Sequence, residues 1–321
     1  MVKPVIYVTR KLPDDLITPY QERFDVRMWE KEGTPVPTET LHEEVQQADA
    51  LFCLITEKID RKFIEKHSHL KVIANMAVGY DNIDVEAAKE YGITVTNTPD
   101  VLTETTADLT FTLLLSTARR VVEAANTIYQ NKWGDWAPFT LAGSDVHNKT
   151  LGIVGMGRIG EAVAKRAKGF NMKVVYHNRS RKETAEREHG LTYVTQNELL
   201  ATADFVVSLV PLTSETKEMF DEKAFEKMKA TAIFINASRG GVVNETDLYE
   251  ALKNKKIAAA GLDVYKEEPI ASTHPFTSLP NAVLLPHIGS ATVQTREAMA
   301  KLCLENITTV LDGYEAKTPV T

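Results

Sequence analysis

Cysteine is almost absent. Cys53 and Cys303 are the only two in 321 residues, too few and too scattered for a disulfide framework or a thiolate zinc site, and they read as two buried, reduced thiols. Long apolar runs are missing too: stretches such as Leu113-Leu114-Leu115 fall far short of the roughly 20 residues a bilayer-spanning helix needs. Basic residues are outnumbered, 37 Lys and Arg against 44 Asp and Glu for a net charge of −7. A nucleic-acid binder needs a basic surface to displace counterions, so this balance argues against that class. The opening MVKPVIYVTRKLPDD becomes charged too early for a signal peptide's apolar core. What is present is a globular balance, 43% hydrophobic and 25% charged residues, in a chain about twice the length of a typical domain. Together these features predict a soluble, cytoplasmic, two-domain protein with no membrane or nucleic-acid partner.

Short β-branched runs alternate with helix-compatible segments along the whole chain. The first series is Val5-Ile6-Tyr7-Val8, the weaker Phe24-Asp25-Val26, Ala50 to Ile55, Val72-Ile73-Ala74 and Ile93-Thr94-Val95. Helices are expected between them at Thr40 to Gln47 and Asp84 to Tyr91. The second series has six runs: Leu151 to Val154, Lys173 to Tyr176, Phe205 to Val210, Ala232 to Ile235, Ala258 to Leu262 and Val283 to Leu285. Continuous rather than alternating apolar strands indicate burial on both faces, hence parallel sheets covered by helices on each side. Six strands with five connections match a doubly wound dinucleotide fold. Asn97-Thr98-Pro99-Asp100 is the expected boundary, followed by a long helix over Thr103 to Val121, and the chain closes on an amphipathic helix over Ala291 to Leu311.

The run Gly155-Met156-Gly157-Arg158-Ile159-Gly160 fits G-x-G-x-x-G, with an apolar strand before it and a helical stretch after it. That order has a mechanism. The first glycine permits the tight turn, the second lets the backbone approach a pyrophosphate, and the third allows close helix–strand packing, with the anion at the helix N-terminus. A tight turn without a ligand is the plainer alternative. The next strand runs on into Tyr176-His177-Asn178-Arg179-Ser180-Arg181-Lys182 and contains no acid where a ribose-binding carboxylate would stand. Asn178, Arg179, Ser180 and Arg181 instead suit a 2′-phosphate, which favours NADPH and NADP over NADH without excluding the latter. A solvated basic turn is the alternative.

Polar residues just past strand ends face the ligand crevice of an open α/β sheet. Three successive strands deliver Arg239, in Ser238-Arg239-Gly240-Gly241, then Glu268, in Asp263 to Pro269, and then His287, in Pro286-His287-Ile288-Gly289-Ser290. Each alone has a duller reading: a surface cation, a solvated acid, a hydrogen-bonded loop histidine. His67 and His69 sit in a polar turn without a ligand-spaced cluster, and no metal site is expected.

Those segments, with Val78-Gly79-Tyr80-Asp81-Asn82-Ile83-Asp84, Asn97-Thr98-Pro99, Thr106-Ala107-Asp108 and the glycine loop, resemble the D-isomer-specific 2-hydroxyacid dehydrogenases over nearly the whole chain. His177-Asn178-Arg179-Ser180, Trp133-Gly134-Asp135-Trp136 and His287 to Thr292 are most similar to the glyoxylate/hydroxypyruvate reductase branch. The resemblance implies two doubly wound α/β domains: a Rossmann cofactor domain over 100–286, inserted into a flavodoxin-like substrate domain made of 1–99 and 287–321. It implies that Arg239 grips the substrate, that His287 is the acid/base with Glu268 as its partner, and that backbone N–H groups of Val78 and Gly79 help hold the carboxylate. Asp263 would orient the nicotinamide, with Thr106 and Gly289 near the cofactor. The stretch carrying Trp136 would reach across a homodimer to close the partner's substrate pocket; ordinary packing is the alternative.

The residue types suit the chemistry independently of the family. Hydride addition to a 2-keto carbon builds negative charge on oxygen, which a histidine can protonate near neutral pH and an arginine fork can stabilise. A neighbouring carboxylate favours the charged ring and fixes its orientation. Close alternatives are a 2-ketogluconate reductase and a 3-phosphoglycerate dehydrogenase-like enzyme, the latter weakened because the chain stops soon after the last helix. A formate dehydrogenase is disfavoured by Glu268, since a glutamine typically stands there in that branch. A dinucleotide-sensing corepressor is the alternative from another class.

Overall fold

In a computed structural model, which describes residues 2–321, the chain divides into two compact units. One comprises the described residues up to Leu102 together with Ala291–Thr321, and the other is Thr103–Ser290.

The first unit holds five strands, β1 (Val5–Val8), β2 (Asp25–Met28), β3 (Ala50–Cys53), β4 (Val72–Asn75) and β5 (Thr94–Thr96). They form one parallel sheet in the order β2-β1-β3-β4-β5. Every residue of β3 and β4 is buried, as the unbroken apolar runs require of strands covered on both faces. The covering helices are α1 (Asp14–Gln21), α2 (Thr38–Val45), α3 (Arg61–Lys66) and α4 (Val85–Glu90). Aspartate caps start two of them: Asp60 accepts from the Phe63 N–H at 3.1 Å and Asp84 from the Ala87 N–H at 2.8 Å. The C-terminal helix Val293–Leu311 packs on β3 and β4, and the tail beyond it returns to β5, where the Val320 N–H donates to the Val95 carbonyl at 2.9 Å. This pairing makes the unit discontinuous in sequence.

The second unit opens with α5 (Thr103–Ala118) and α6 (Val121–Tyr129). It continues through β6 (Thr150–Val154), α7 (Arg158–Lys168), β7 (Lys173–His177), α8 (Glu183–His189), β8 (Thr192–Tyr193), α9 (Gln196–Thr202) and β9 (Phe205–Ser208). It ends with α10 (Glu222–Lys227), β10 (Ile233–Asn236), α11 (Glu245–Lys253), β11 (Ala259–Leu262) and β12 (Ala282–Leu284). Its parallel sheet has the order β12-β11-β10-β9-β6-β7-β8, so the direction of winding reverses between β9 and β6. The glycine loop leaves β6 at that reversal, which is where doubly wound sheets bind ligands.

Four expectations are corrected. The sheet has seven strands rather than six, because the two-residue edge strand β8 is too short to leave an apolar run. The long helix does not continue to Val121: it stops at Ala118, whose carbonyl accepts the Ser144 N–H at 2.8 Å, and Arg120 turns left-handed at φ +52° before α6 begins. The unit boundaries fall at 102/103 and 290/291 rather than 99/100 and 286/287, since main-chain bonds tie residues 287 and 288 to Asp263. His67 does lie in the turn that ends α3, but it is fully buried there rather than polar surface, its ring stacked on His42 with Nδ1 of His42 2.6 Å from its Nε2. Burial first, then the neighbouring His42, His69 and Lys66, push its pKa down to about 4, so the ring packs as a neutral core side chain.

Candidate active site

At the carboxyl end of β6 the chain turns at Gly155 with φ +102°, and a Cβ there would meet the Leu209 backbone at 2.6 Å. Gly157, at the N-terminus of α7, has nothing within 4 Å of where its Cβ would be. The chain therefore offers an open cradle with helix N–H groups at its floor, which fits a pyrophosphate and leaves no side chain to obstruct it. Met156 is buried beneath the loop, Arg158 and Ile159 open the helix, and Gly160 packs against the Gly155 carbonyl.

β7 ends at His177, and Asn178 then folds its carboxamide onto the Ser180 carbonyl at 3.0 Å. The Asn178 carbonyl accepts the Tyr193 hydroxyl at 3.4 Å, so the short strand β8 braces this loop. Arg179 is exposed, as is Ser180. Arg181 is held instead by both oxygens of Glu186, each at 2.7 Å, in a fork–fork pair that draws the Glu186 carboxyl well below its ordinary value. The structure thus separates the two arginines expected to act together: Arg179 is exposed, with the charge of Glu215 near it, and Arg181 is engaged.

Arg239, Glu268 and His287 lie in the segments that follow β10, β11 and β12, which are neighbours in the sheet. Asn236, the buried last residue of β10, shapes the arginine turn: its Nδ2 donates to the Arg239 carbonyl at 2.9 Å, and its Oδ1 accepts the Ser238 N–H and hydroxyl. Gly240 passes so close to the Tyr265–Lys266 peptide that a Cβ would lie 1.8 Å from the Tyr265 carbonyl carbon. Only glycine lets the Arg239 turn sit against the loop that carries Glu268.

Glu268 Oε2 lies 2.7 Å from His287 Nδ1, and Glu268 Oε1 accepts the Tyr265 N–H at 2.9 Å. Burial alone would raise the Glu268 carboxyl. The hydrogen bond and charge of His287, the Tyr265 N–H and the Arg239 guanidinium outweigh it and hold the carboxyl below its ordinary value. The carboxylate fixes the proton of the ring on Nδ1, which leaves Nε2 as the nitrogen for proton exchange. The Tyr265 hydroxyl bonds the carbonyls of Leu262 and Leu285 and so links the ends of the two strands that lead to Glu268 and His287.

His287 takes a left-handed backbone at φ +55°, and Asp263 secures it: the Asp263 carbonyl accepts the His287 N–H at 2.9 Å and its Oδ1 accepts the Ile288 N–H at 2.8 Å. Burial pushes the Asp263 carboxyl up, against the opposing pull of the Ile288 and Gly289 N–H groups and of the His287 charge. A side chain at Gly289 would touch both Asp263 and Thr106, so three of the expected cofactor-side positions lie together.

In the first unit, Val78 and Gly79 follow β4, and their N–H groups have no hydrogen-bond acceptor among the described residues. Trp136 is 84% exposed in the irregular stretch after α6. Sequence reasoning missed Asn236, Tyr265 and Tyr193; a polar residue closing a buried strand was the one available signal, and it applies only to Asn236.

The family model for the D-isomer specific 2-hydroxyacid dehydrogenase, NAD binding domain, matches residues 111–289. The chain is 48% identical over 310 residues to the glyoxylate reductase of Pyrococcus furiosus, covering 95% of this chain and 92% of that one. Among solved structures, a glyoxylate reductase from Paecilomyes thermophila matches with a TM-score of 0.88 at 31% identity, over 100% of this chain and 99% of that chain. The NADPH-dependent glyoxylate/hydroxypyruvate reductase of Sinorhizobium meliloti, in complex with NADP and malonate, matches with a TM-score of 0.85 at 32% identity, over 99% and 97%.

Proposed function

The chain belongs to the D-isomer specific 2-hydroxyacid dehydrogenase family, and on that premise we propose that it is an NADPH-preferring reductase of glyoxylate and hydroxypyruvate. Family membership makes it an enzyme that works on small 2-keto and 2-hydroxy acids with a nicotinamide dinucleotide. The finer reading concerns which acids, which dinucleotide and which residues.

When bound, the reduced nicotinamide supplies a hydride to the keto carbon. Arg239 holds the substrate's carboxylate and keto oxygen with its planar fork and opposes the charge that develops on that oxygen. His287 delivers the Nε2 proton to the same oxygen, giving glycolate from glyoxylate or D-glycerate from hydroxypyruvate. Glu268 acts through His287, keeping the ring oriented and balancing its charge. The N–H groups of Val78 and Gly79 hold the carboxylate, and Asp263, Thr106 and Gly289 line the nicotinamide side. The observation that carries this reading is the 2.7 Å Glu268–His287 pair, whose carboxylate also feels the Arg239 charge.

NADPH preference rests on the loop after β7, where Arg179 and Ser180 are exposed and no acid repels a 2′-phosphate. A homodimer is supported by α6, which buries none of its residues while Val121, Val122, Ile128 and Tyr129 are exposed, and by the exposure of Trp136 beyond it. Two free, buried cysteines support action in the reducing cytoplasm.

Steady-state assays of glyoxylate, hydroxypyruvate, 2-ketogluconate and pyruvate, each with NADPH and NADH, test the whole reading. Arg179→Ala is expected to raise the KM for NADPH about tenfold or more while changing that for NADH by less than about twofold. Equal effects on the two dinucleotides remove the phosphate argument. Preference for 2-ketogluconate reassigns the substrate, and absence of turnover with all four acids favours a binding protein.

A further inference from the structure

We propose that Asn75 is a positioning residue for the substrate's carboxylate, its buried carboxamide holding the Val78–Tyr80 turn so that three successive backbone N–H groups form an anion cradle. The inference rests on the reading above that this turn receives a carboxylate.

Asn75 is the last residue of β4 and is completely buried. Past it, three consecutive carbonyls are taken by donors. The Ala77 carbonyl accepts the Thr98 N–H at 2.8 Å, that of Val78 accepts Asn97 Nδ2 at 2.8 Å, and that of Gly79 accepts Asn75 Nδ2 at 2.9 Å. In a planar trans peptide the N–H points opposite to the C=O, so fixing these carbonyls fixes the N–H groups of Val78, Gly79 and Tyr80, each directed away from its own carbonyl's donor. None of the three donates a hydrogen bond among the described residues, and Val78 and Tyr80 are 36% and 41% exposed. Successive N–H groups left without an acceptor are the donors with which a backbone binds an anion. Tyr80 thus supplies a third donor beside the two expected from sequence.

The carboxamide is itself held from behind. Asn75 Nδ2 also donates to Asn82 Oδ1 at 3.1 Å, while Asn82 Nδ2 donates to the carbonyls of Leu54 and Glu57 at 3.1 and 3.0 Å. The Glu57 carboxylate is locked by Arg10 at 3.0 Å, the Thr9 hydroxyl at 2.7 Å and the Leu54 N–H at 2.8 Å. A polar chain therefore runs from a buried ion pair at the ends of β1 and β3 to the turn after β4. A flipped Asn75 would set its oxygen against two acceptors at once, so the network admits one orientation and pre-organises the cradle.

A carboxylate keeps its charge through hydride transfer, so the cradle binds ground state and transition state alike and its loss appears in KM rather than kcat. Asn75→Asp preserves the shape and removes the donor. The expected result is a rise of about tenfold in the KM for glyoxylate, the size of one lost hydrogen bond, with kcat and the KM for NADPH changed by less than about twofold. Calorimetry with oxalate, an inert carboxylate that needs no turnover, is expected to show the same loss of affinity. Asn97→Ala releases the Val78 carbonyl from an accessible side chain and is expected to give a smaller rise of about threefold by the same reasoning, which keeps the test open if the first variant does not fold. Unchanged KM and oxalate affinity in either folded variant, or a fall in kcat at constant KM, overturns the proposal. If the unaltered enzyme reduces no 2-keto acid, the reductase reading fails on its own. Oxalate then decides the cradle alone: no binding, or equal binding by both forms, overturns it.

Discussion

Replacing His287 with alanine is expected to lower kcat for glyoxylate by about a thousandfold, the middle of the range for loss of a positioned general acid, and to change NADPH binding little. The separation follows from placement. The ring is fixed by Glu268 at 2.7 Å and the backbone by Asp263, whereas the dinucleotide cradle lies in the loop after β6, built from other residues. Because His287 sits at φ +55°, a backbone that histidine and asparagine tolerate better than alanine does, alanine brings a strain that has nothing to do with proton transfer. His287→Asn controls for this, since asparagine tolerates that backbone but has no titrating ring. The two variants are expected to lose equal turnover and to differ in thermal stability. Turnover near the unaltered level in either defeats the assignment of His287.

Arg239→Ala is expected to lower kcat/KM by about three to four orders of magnitude, affecting both constants, because the fork serves carboxylate binding and charge stabilisation together. Arg239→Lys restores the charge but not the two-pronged geometry and recovers only part of the loss. A pH profile adds a sign. Glu268 must be ionised to hold His287, and its carboxyl lies below the ordinary value despite burial, with the Arg239 charge among the causes. Activity is therefore expected to persist below the usual carboxylate range and to fall as pH drops through that lowered value. Removing Arg239 takes away one of the lowering influences, so the acid limb of the residual activity moves to higher pH. An unmoved limb in Arg239→Ala, measured as log kcat/KM against pH, contradicts this placement of the guanidinium.

The parallel sheets were legible because strands such as β3, β4, β9 and β10 are buried along their whole length and must be apolar throughout. The same rule fails at the edge, where β8 is two residues long. The glycine loop and the order Arg239, Glu268, His287 were legible because each lies in the segment that follows a strand's carboxyl end. Pairings between distant side chains were not. Nothing in the run 178–181 shows that Glu186 takes Arg181, since only the fold of α8 brings them together. Likewise His42 and His67 lie 25 residues apart, and the fold brings α2 and the end of α3 together so that the two rings stack and the turn histidine is buried. Asn236 and Asn75 each close a buried strand with a carboxamide that clamps the loop beyond it.

The most direct measurement is a crystal structure of the enzyme with NADP and oxamate, whose carbonyl oxygen stands in for the keto oxygen of a substrate. The account predicts that oxygen within hydrogen-bond distance of both the Arg239 guanidinium and His287 Nε2. A refined complex in which either group is turned away from it contradicts the account.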